Sequence, residues 1–290
     1  MWIWIAIGLG GLLLVGWLVG WWRHTTRSRA LWRAVGRGAL EPAASGGAEA
    51  GRAGERFDRD MLAGLCAPAR RYLEHAIAAG TPLASAVELA GRGEIRLGDR
   101  FRPLRYRERL AAGRGFVWRA ALRSPVRVVD HYLDDAGGVH GLVLGLPLIN
   151  AAGADVTRSS RHRFAIELIW LPAALLPQAG VEWEGIDEQR ARAKLLIDAE
   201  PIDLELQVAA DGRLERVEMQ RWSDQRPPEA EPAAGDGRWR LQPYAGRVLA
   251  EGDHGGYRIP TAVEVGTLAT AGAVDFTPGI RLQVDRARFG

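Results

Sequence analysis

The stretch IDLELQVAADGRLERVEMQRW, residues 202 to 222, decides the fold class. Its first half puts Ile202, Leu204, Leu206 and Val208 on one face and Asp203, Glu205 and Gln207 on the other. That period of two is what a strand needs when one side is buried and the other is wet. Asp211-Gly212 follows as a turn, so the run predicts a tight antiparallel hairpin.

The same signal recurs on both sides of this hairpin. Upstream stand SAVELAG (85–91), GEIRL (93–97), GFVWRAAL (115–122), VRVVDHYL (126–133) and GVHGLVLG (138–145), with a turn centred on Asp134 to Gly138. Downstream stand WRLQPY (239–244), GRVLAEG (246–252), YRIPTAVEVGTL (257–268) and GIRLQVDRARF (279–289). Short alternating runs separated by turn residues predict a strand meander. One strong helix interrupts it, from about Thr157 to Leu171, with Phe164, Leu168 and Leu171 as its apolar stripe. A second helix is expected from Pro68, a residue suited to a first helical position, to about Ala79, with Gly80 as its stop. The expected class is α+β: a curved antiparallel sheet or half-barrel with one or two covering helices, and no repeat of fixed period.

The N-terminus is of another kind. Trp2 to Trp22 carries no charged residue, and its twenty-one residues span roughly 31 Å as a helix, close to the thickness of a bilayer core. Tryptophans stand at both ends (Trp2 and Trp4; Trp17, Trp21 and Trp22), where indole rings favour the membrane–water interface. A cleaved signal would need a basic start and a small-x-small cleavage site, and neither is present. The run therefore predicts an uncleaved single-pass anchor, residues 1–22. Residues 23–60 follow as a basic juxtamembrane segment and flexible linker, with GALEPAASGGAEAGRAG (38–54) as tether, and 61–290 as a β-rich soluble domain. Arg23, Arg27, Arg29, Arg33 and Arg37 after the span favour retention in the cytoplasm, with a periplasmic domain as the alternative. Gly16 and Gly20 form a G-x-x-x-G through which two anchors could approach as a dimer.

Composition excludes several functions. The formal charge is +3, but Lys194 is the only lysine and acidic residues nearly match basic ones; the one dense basic run lies beside the anchor, so nucleic-acid binding is not expected. Cys66 is alone, which rules out an intrachain disulfide and a cysteine zinc site and suits a small core residue. The six histidines lack metal-ligand spacing; His131 and His140 could approach across the Asp134 turn with Asp130, but no third ligand is in sight. No metal and no cofactor are expected.

By the central helix and its flanks the chain resembles a family of bacterial proteins of unknown function, often with an N-terminal membrane segment, that share R-x-x-x-E-x-x-W-L-P. Here the pattern is Arg163, Glu167, Trp170, Leu171 and Pro172. The similarity extends over 115–122, Asp130 and Tyr132, VEWEGID (181–187), Ala191, Arg221-Trp222 and RIPTAVEV (258–265), roughly residues 70 to 290. Thr267 stands where the family usually has Trp, and LQPYAG (241–246) where it has a Trp-containing turn. The resemblance implies no assigned activity; the anchor and the arginines after it are what predict a single-pass location in a bacterial inner membrane. A meander with one covering helix is also similar, in architecture, to the half-barrels of lipoprotein carriers.

The usual catalytic motifs for phosphate binding, serine hydrolysis and metalloproteolysis are missing. Arg163 and Glu167, spaced i and i+4, share a helical face with Trp170 on the same side and can pair. Glu167 and Asp187 are the candidate carboxylates around a cleft, able to do acid–base work if their environments separate their proton affinities. The other reading is a buried polar cluster that defines structure. Trp118, Tyr132, Trp183 and Trp222 are the aromatics expected to line a concave apolar face. Three functions follow: a membrane-anchored binding module for a lipid or other apolar small molecule, a carboxylate-dependent hydrolase-like enzyme using Glu167 and Asp187, or a membrane-proximal interaction scaffold.

Overall fold

In a computed structural model the chain is described over residues 2–37, 40, 54–123, 125–224, 239–268, 270 and 276–290, with the backbone alone for 2–15 and 276. The tether expected over 38–54 and the Pro/Glu/Ala-rich loop near 225–235 lie almost wholly outside these residues.

Among the described residues thirteen strands form one antiparallel sheet made of two meanders. The first is β1 (Ala86–Leu97), β2 (Arg100–Ala111), β3 (Gly115–Leu122), β4 (Val126–Leu133), β5 (Ala136–Val143) and β6 (Leu146–Ala152). The second is β7 (Glu182–Gly185), β8 (Arg190–Ile197), β9 (Glu200–Val208), β10 (Leu214–Ser223), β11 (Arg240–His254), β12 (Tyr257–Leu268) and β13 (Phe276–Phe289). They join because β13 pairs with β1, giving the order β6-β5-β4-β3-β2-β1-β13-β12-β11-β10-β9-β8-β7 and leaving β6 and β7 as open edges. The β4–β5 and β8–β9 links each put two consecutive residues, Asp134-Asp135 and Asp198-Ala199, at positive φ, which matches the right-handed twist of the strands they connect. The hairpin read at 202–222 forms, and Ile202, Leu204, Leu206 and Val208 are buried as expected. Its connection is looser than a two-residue turn: residues 209–213 intervene, and the register slips between Leu214 and Arg216.

A sheet this wide with an apolar inner face must curl and be covered. The cover is α3 (Ala154–Glu167), which leaves the edge strand β6 and lies against strands of both meanders, β3 to β5 and β8 to β10. It is shorter than the helix expected to Leu171: from Leu168 the backbone tightens into short 3₁₀ turns as far as Ala179, with Pro172 and Pro177 opening two of them. Their residues Leu168, Ile169, Trp170, Leu171, Leu175 and Leu176 are buried in the main core. The helix α2 (Ala67–Ala76) closes one end against β7, β8, β9 and β12.

The first helix, α1 (Trp2–Gly36), continues without a break past the end of the expected anchor, so residues 23–36, read as juxtamembrane linker, are helical. The reason lies in the far face of the sheet. His24, Ser28, Trp32 and Val35 follow helical spacing on one side of α1. Trp32 and Val35 form a second buried cluster with Ala86, Ala111, Val117 and Val129. Arg107, Arg109 and Arg119 stack over the Trp32 ring at 5.2, 4.7 and 4.3 Å. Arg109 donates to the Trp32 carbonyl at 3.0 Å and Arg114 to the Ala34 carbonyl at 2.7 Å, so cationic groups meet the negative end of the helix. Among the described residues no helix is long and apolar enough to cross a membrane, and for 2–15, the body of the apolar run, the side chains lie outside the description. Gly20 of the expected dimer motif stands against Pro147 of the same chain.

Candidate functional site

Alternation along β2, β3 and β4 sends Tyr106, Glu108 and Leu110, Phe116 and Trp118, and Asp130 and Tyr132 towards α3. The helix answers with Arg163. Its Nη1 donates to Asp130 at 2.6 Å, its Nε donates to Glu167 at 2.7 Å, and Nη2 stands 3.9 Å from Glu108. The guanidinium also lies over Phe116 and Trp118, 4.7 and 5.0 Å from the ring centroids. The expected pairing of Arg163 with Glu167 is present, in a buried setting and extended by two carboxylates from the sheet.

Three carboxyl groups around one guanidinium leave an excess of negative charge away from water. Glu108 is 1% exposed, and neither of its oxygens, nor Oε2 of Glu167, accepts a hydrogen bond from the described groups. Burial pushes the Glu108 carboxyl well above the usual carboxylate range, and the nearby Glu167 pushes the same way against the opposing pull of Arg163. The raised proton affinity favours the neutral Glu108 carboxyl, and a protonated Glu108 is a donor facing an acceptor on Glu167. Burial works against the charge on Arg163, but Glu167, Asp130 and Glu108 outweigh it and hold the guanidinium above its ordinary value.

This cluster forms one wall of a cavity of about 770 Å³ between the concave face and the covering helix. Ile166, Ile169 and Trp170 close it from the helix side; Val217, Val248, Val263, Val265, Ile280 and Leu282 close it from the sheet. A volume of this size suits a small-molecule ligand, and such sites combine apolar walls with a few placed polar groups. Around the Arg163 cluster the polar groups are Asp130, Arg163, Glu167, Arg221 and the edge of Trp118, while Arg96, Asp99, Thr267 and Thr277 stand elsewhere in the lining. Oδ1 of Asp130, Oε2 of Glu167, Nε of Arg221 and Nε1 of Trp118 are buried without a hydrogen-bond partner among the described groups.

Other expected site residues lie elsewhere. Asp187 sits on the exposed β7–β8 turn, where it accepts from the Gln189 and Arg190 amides and pairs with Arg190 at 2.7 Å. The carboxyls gathered around Glu167 are instead Glu108 and Asp130. Trp118 and Trp170 line the cavity, the latter fixed by donating to the Pro260 carbonyl at 2.9 Å. Tyr132, Trp183 and Trp222 do not. Tyr132 hydrogen-bonds Asp198 and receives a bond from Arg161, Trp183 donates to the Leu175 carbonyl, and Trp222 donates to Asp155 beneath Arg158. Those rings brace the helix and the 3₁₀ segment against the sheet. His131 and His140 do meet, ring centroids 5.7 Å apart, but on the far face with His24 of α1 and away from Asp130. Among the described residues no group of acidic, His or Cys side chains could hold a metal.

Comparison with solved structures finds low-identity neighbours. A LolA superfamily protein from Nitrosomonas europaea is 11% identical over 77% of this chain and 92% of its own, with a TM-score of 0.36. A DUF1329 family protein from Desulfovibrio piger is 8% identical over 71% and 86%, with a TM-score of 0.33. A domain named for outer membrane lipoprotein sorting, from Vibrio parahaemolyticus, is 9% identical over 71% and 85%, with a TM-score of 0.39. Similarities at this level carry no functional inference. No curated protein matches the sequence. The family model that does match covers residues 55–276, the whole sheet but its last strand together with α2, α3 and the Arg163 cluster, and by it the chain belongs to the family of unknown function DUF6544.

Proposed function

We propose that the protein is a membrane-tethered binding module that holds an amphiphile between the concave sheet and α3. The observation that carries this reading is the cavity of about 770 Å³, walled by aliphatic and aromatic side chains with unpaired donors and acceptors at one side. A tail occupies the aliphatic region; a polar end meets Trp118, Asp130, Glu167 and Arg221. Such a head offers both donors and acceptors, because the wall presents both. The apolar run Trp2 to Trp22 is the tether. The exposed arginines Arg23, Arg27, Arg29 and Arg33 that follow it keep the domain on the cytoplasmic side.

Native mass spectrometry of the full-length chain tests the binding, with organic extraction of what co-purifies and titration with a fluorescent fatty-acid analogue. A bound amphiphile, or saturable uptake of the analogue at one site per chain, is expected. A chain that carries nothing and takes up no analogue overturns the reading. A C-terminal reporter tests the side of the membrane separately, and activity in the periplasm overturns the orientation while leaving the cavity untouched.

A further inference from the structure

The turns β1–β2, β3–β4 and β5–β6 all lie at one end of the sheet, since the strands between them are antiparallel in sequence. The start of β13 is there too, because Ile280 pairs with Ile95 near the β1–β2 turn. The helix α1 runs down the far face from this end. Trp17 stands against the β5–β6 turn so closely that a Cβ on Gly145 would strike its indole, and Gly20 faces Pro147. Val35 meets Ala86 and Ala111 at the opposite end. The β5–β6 hairpin is thus level with the last part of the apolar run rather than below it. Trp17 lies five residues before Trp22, about 7.5 Å further along the helix.

The hairpin's composition agrees with that depth. Leu144 is 70% and Leu148 67% exposed, Leu146 is exposed between them, and Leu18, Val19, Trp21 and Trp22 are exposed on the adjoining helix. A contiguous apolar patch of this kind marks an interaction surface. Around it the exposed arginines Arg23, Arg100, Arg102, Arg123 and Arg127 are set at the same end of the molecule. Leucine and tryptophan ringed by arginine is the chemistry of an anionic bilayer surface. The rim of the cavity faces the same way: Leu97, Gly98, Asp99, Pro278 and Gly279 line it there.

We propose that the β5–β6 hairpin inserts Leu144, Leu146 and Leu148 into the interfacial layer of an anionic bilayer beside the tether, which turns the mouth of the cavity towards the lipid. This rests on the reading of Trp2 to Trp22 as a membrane anchor and extends it from a tether to a docked, oriented domain.

The test uses the full chain with its single cysteine replaced (Cys66→Ala), labelled with an environment-sensitive fluorophore at Leu144→Cys, Leu148→Cys or, at the opposite end, Ala210→Cys. Each is reconstituted into vesicles of phosphatidylcholine with phosphatidylglycerol and quenched by nitroxide-bearing lipids. Labels at 144 and 148 are expected to shift to the blue and to be quenched several-fold more strongly than the label at 210. Release of the chain by alkaline extraction overturns the anchor and the hairpin proposal together. Retention with water-like emission at 144 and 148 overturns the hairpin proposal alone. Pyrene excimers at Leu148→Cys would show β6 edges of two copies meeting, and would also overturn it.

Discussion

The guanidinium of Arg163, carried on α3, donates to the carboxylate of Asp130 on β4 at 2.6 Å and so bolts the covering helix to the floor of the half-barrel. The same group neutralises Glu167 and faces Glu108. Removing one partner of a buried ionic cluster leaves the others uncompensated, which costs about 3–5 kcal/mol. Arg163→Met is therefore expected to lower stability by about that amount in denaturant titration of the detergent-solubilised chain. Adding Asp130→Asn to it should cost far less than the sum of the two single changes. Additive losses would show that the two groups are not coupled.

Glu108 makes stability depend on pH. Its carboxyl is raised in the folded chain above the ordinary 4.5, through burial first and Glu167 second. The folded chain holds that proton more tightly than the unfolded chain does, so the contribution of Glu108 is full below pH 4.5 and is lost as pH rises through the raised folded value. Glu108→Gln cannot ionise and can donate to Glu167. The variant should match the wild type at pH 4 and exceed it progressively towards pH 8. Denaturation midpoints across that range check this, and a constant difference would place the Glu108 proton elsewhere.

Much of the sheet can be read from residues 202 to 222 and their analogues, because in each run a full apolar face alternates with a full polar one. The strand β2 is different. In FRPLRYRERL (101–110) the inward residues are Leu104, Tyr106, Glu108 and Leu110, interleaved with arginines that face the solvent or stack on Trp32. A buried glutamate breaks the apolar face, so the run does not announce itself, and the carboxyl that completes the site is hidden with it. The packing of α1 was hidden for a similar reason: His24, Ser28, Trp32 and Val35 form a stripe too polar to stand out, and the arginines that receive it lie on strands far along the chain. Arg163 and Glu167 could be found because helical spacing is local. Which carboxylates join them is set by strand register, and register places Asp130 and Glu108 there and leaves Asp187 on its turn.

The cavity can be filled from the sheet side. Val248 and Val265 line it and are half-buried, so a larger side chain at either has free volume to enter rather than a packed core to displace. Val248→Trp and Val265→Trp are expected to change stability by less than about 3 kcal/mol and to abolish uptake of the fluorescent fatty-acid analogue. Leu196→Trp, on an exposed site of β8, is the control and should bind as the wild type does. Unchanged uptake in both filled variants would place the ligand outside this cavity.

The three histidines on the far face give the contact between α1 and the sheet an acid limit. The rings of His24 and His140 are 5.1 Å apart, those of His131 and His140 5.7 Å, and both nitrogens of His140 are buried without a partner among the described groups. Burial first, then Arg27, His24 and His131, pull His140 down to about 3; burial and arginines also lower His24 and His131, although Asp130 works the other way on His131. A histidine lowered on folding contributes stability that is present above its ordinary value of 6.5 and is lost as pH falls below it, because the unfolded ring takes a proton that the folded one refuses. The contact should therefore weaken from about pH 6.5 downwards. His140→Phe should flatten that decline while keeping the ring packing against His24. Hydrogen exchange of the α1 amides between Arg23 and Gly36 at pH 7 and pH 5, compared with amides of β9, measures it. A lower protection factor at pH 5, relative to the intrinsic exchange rate at each pH, confined to α1 and restored by His140→Phe, is the expected result, and equal protection at both pH values would remove the histidines from the stability of this contact.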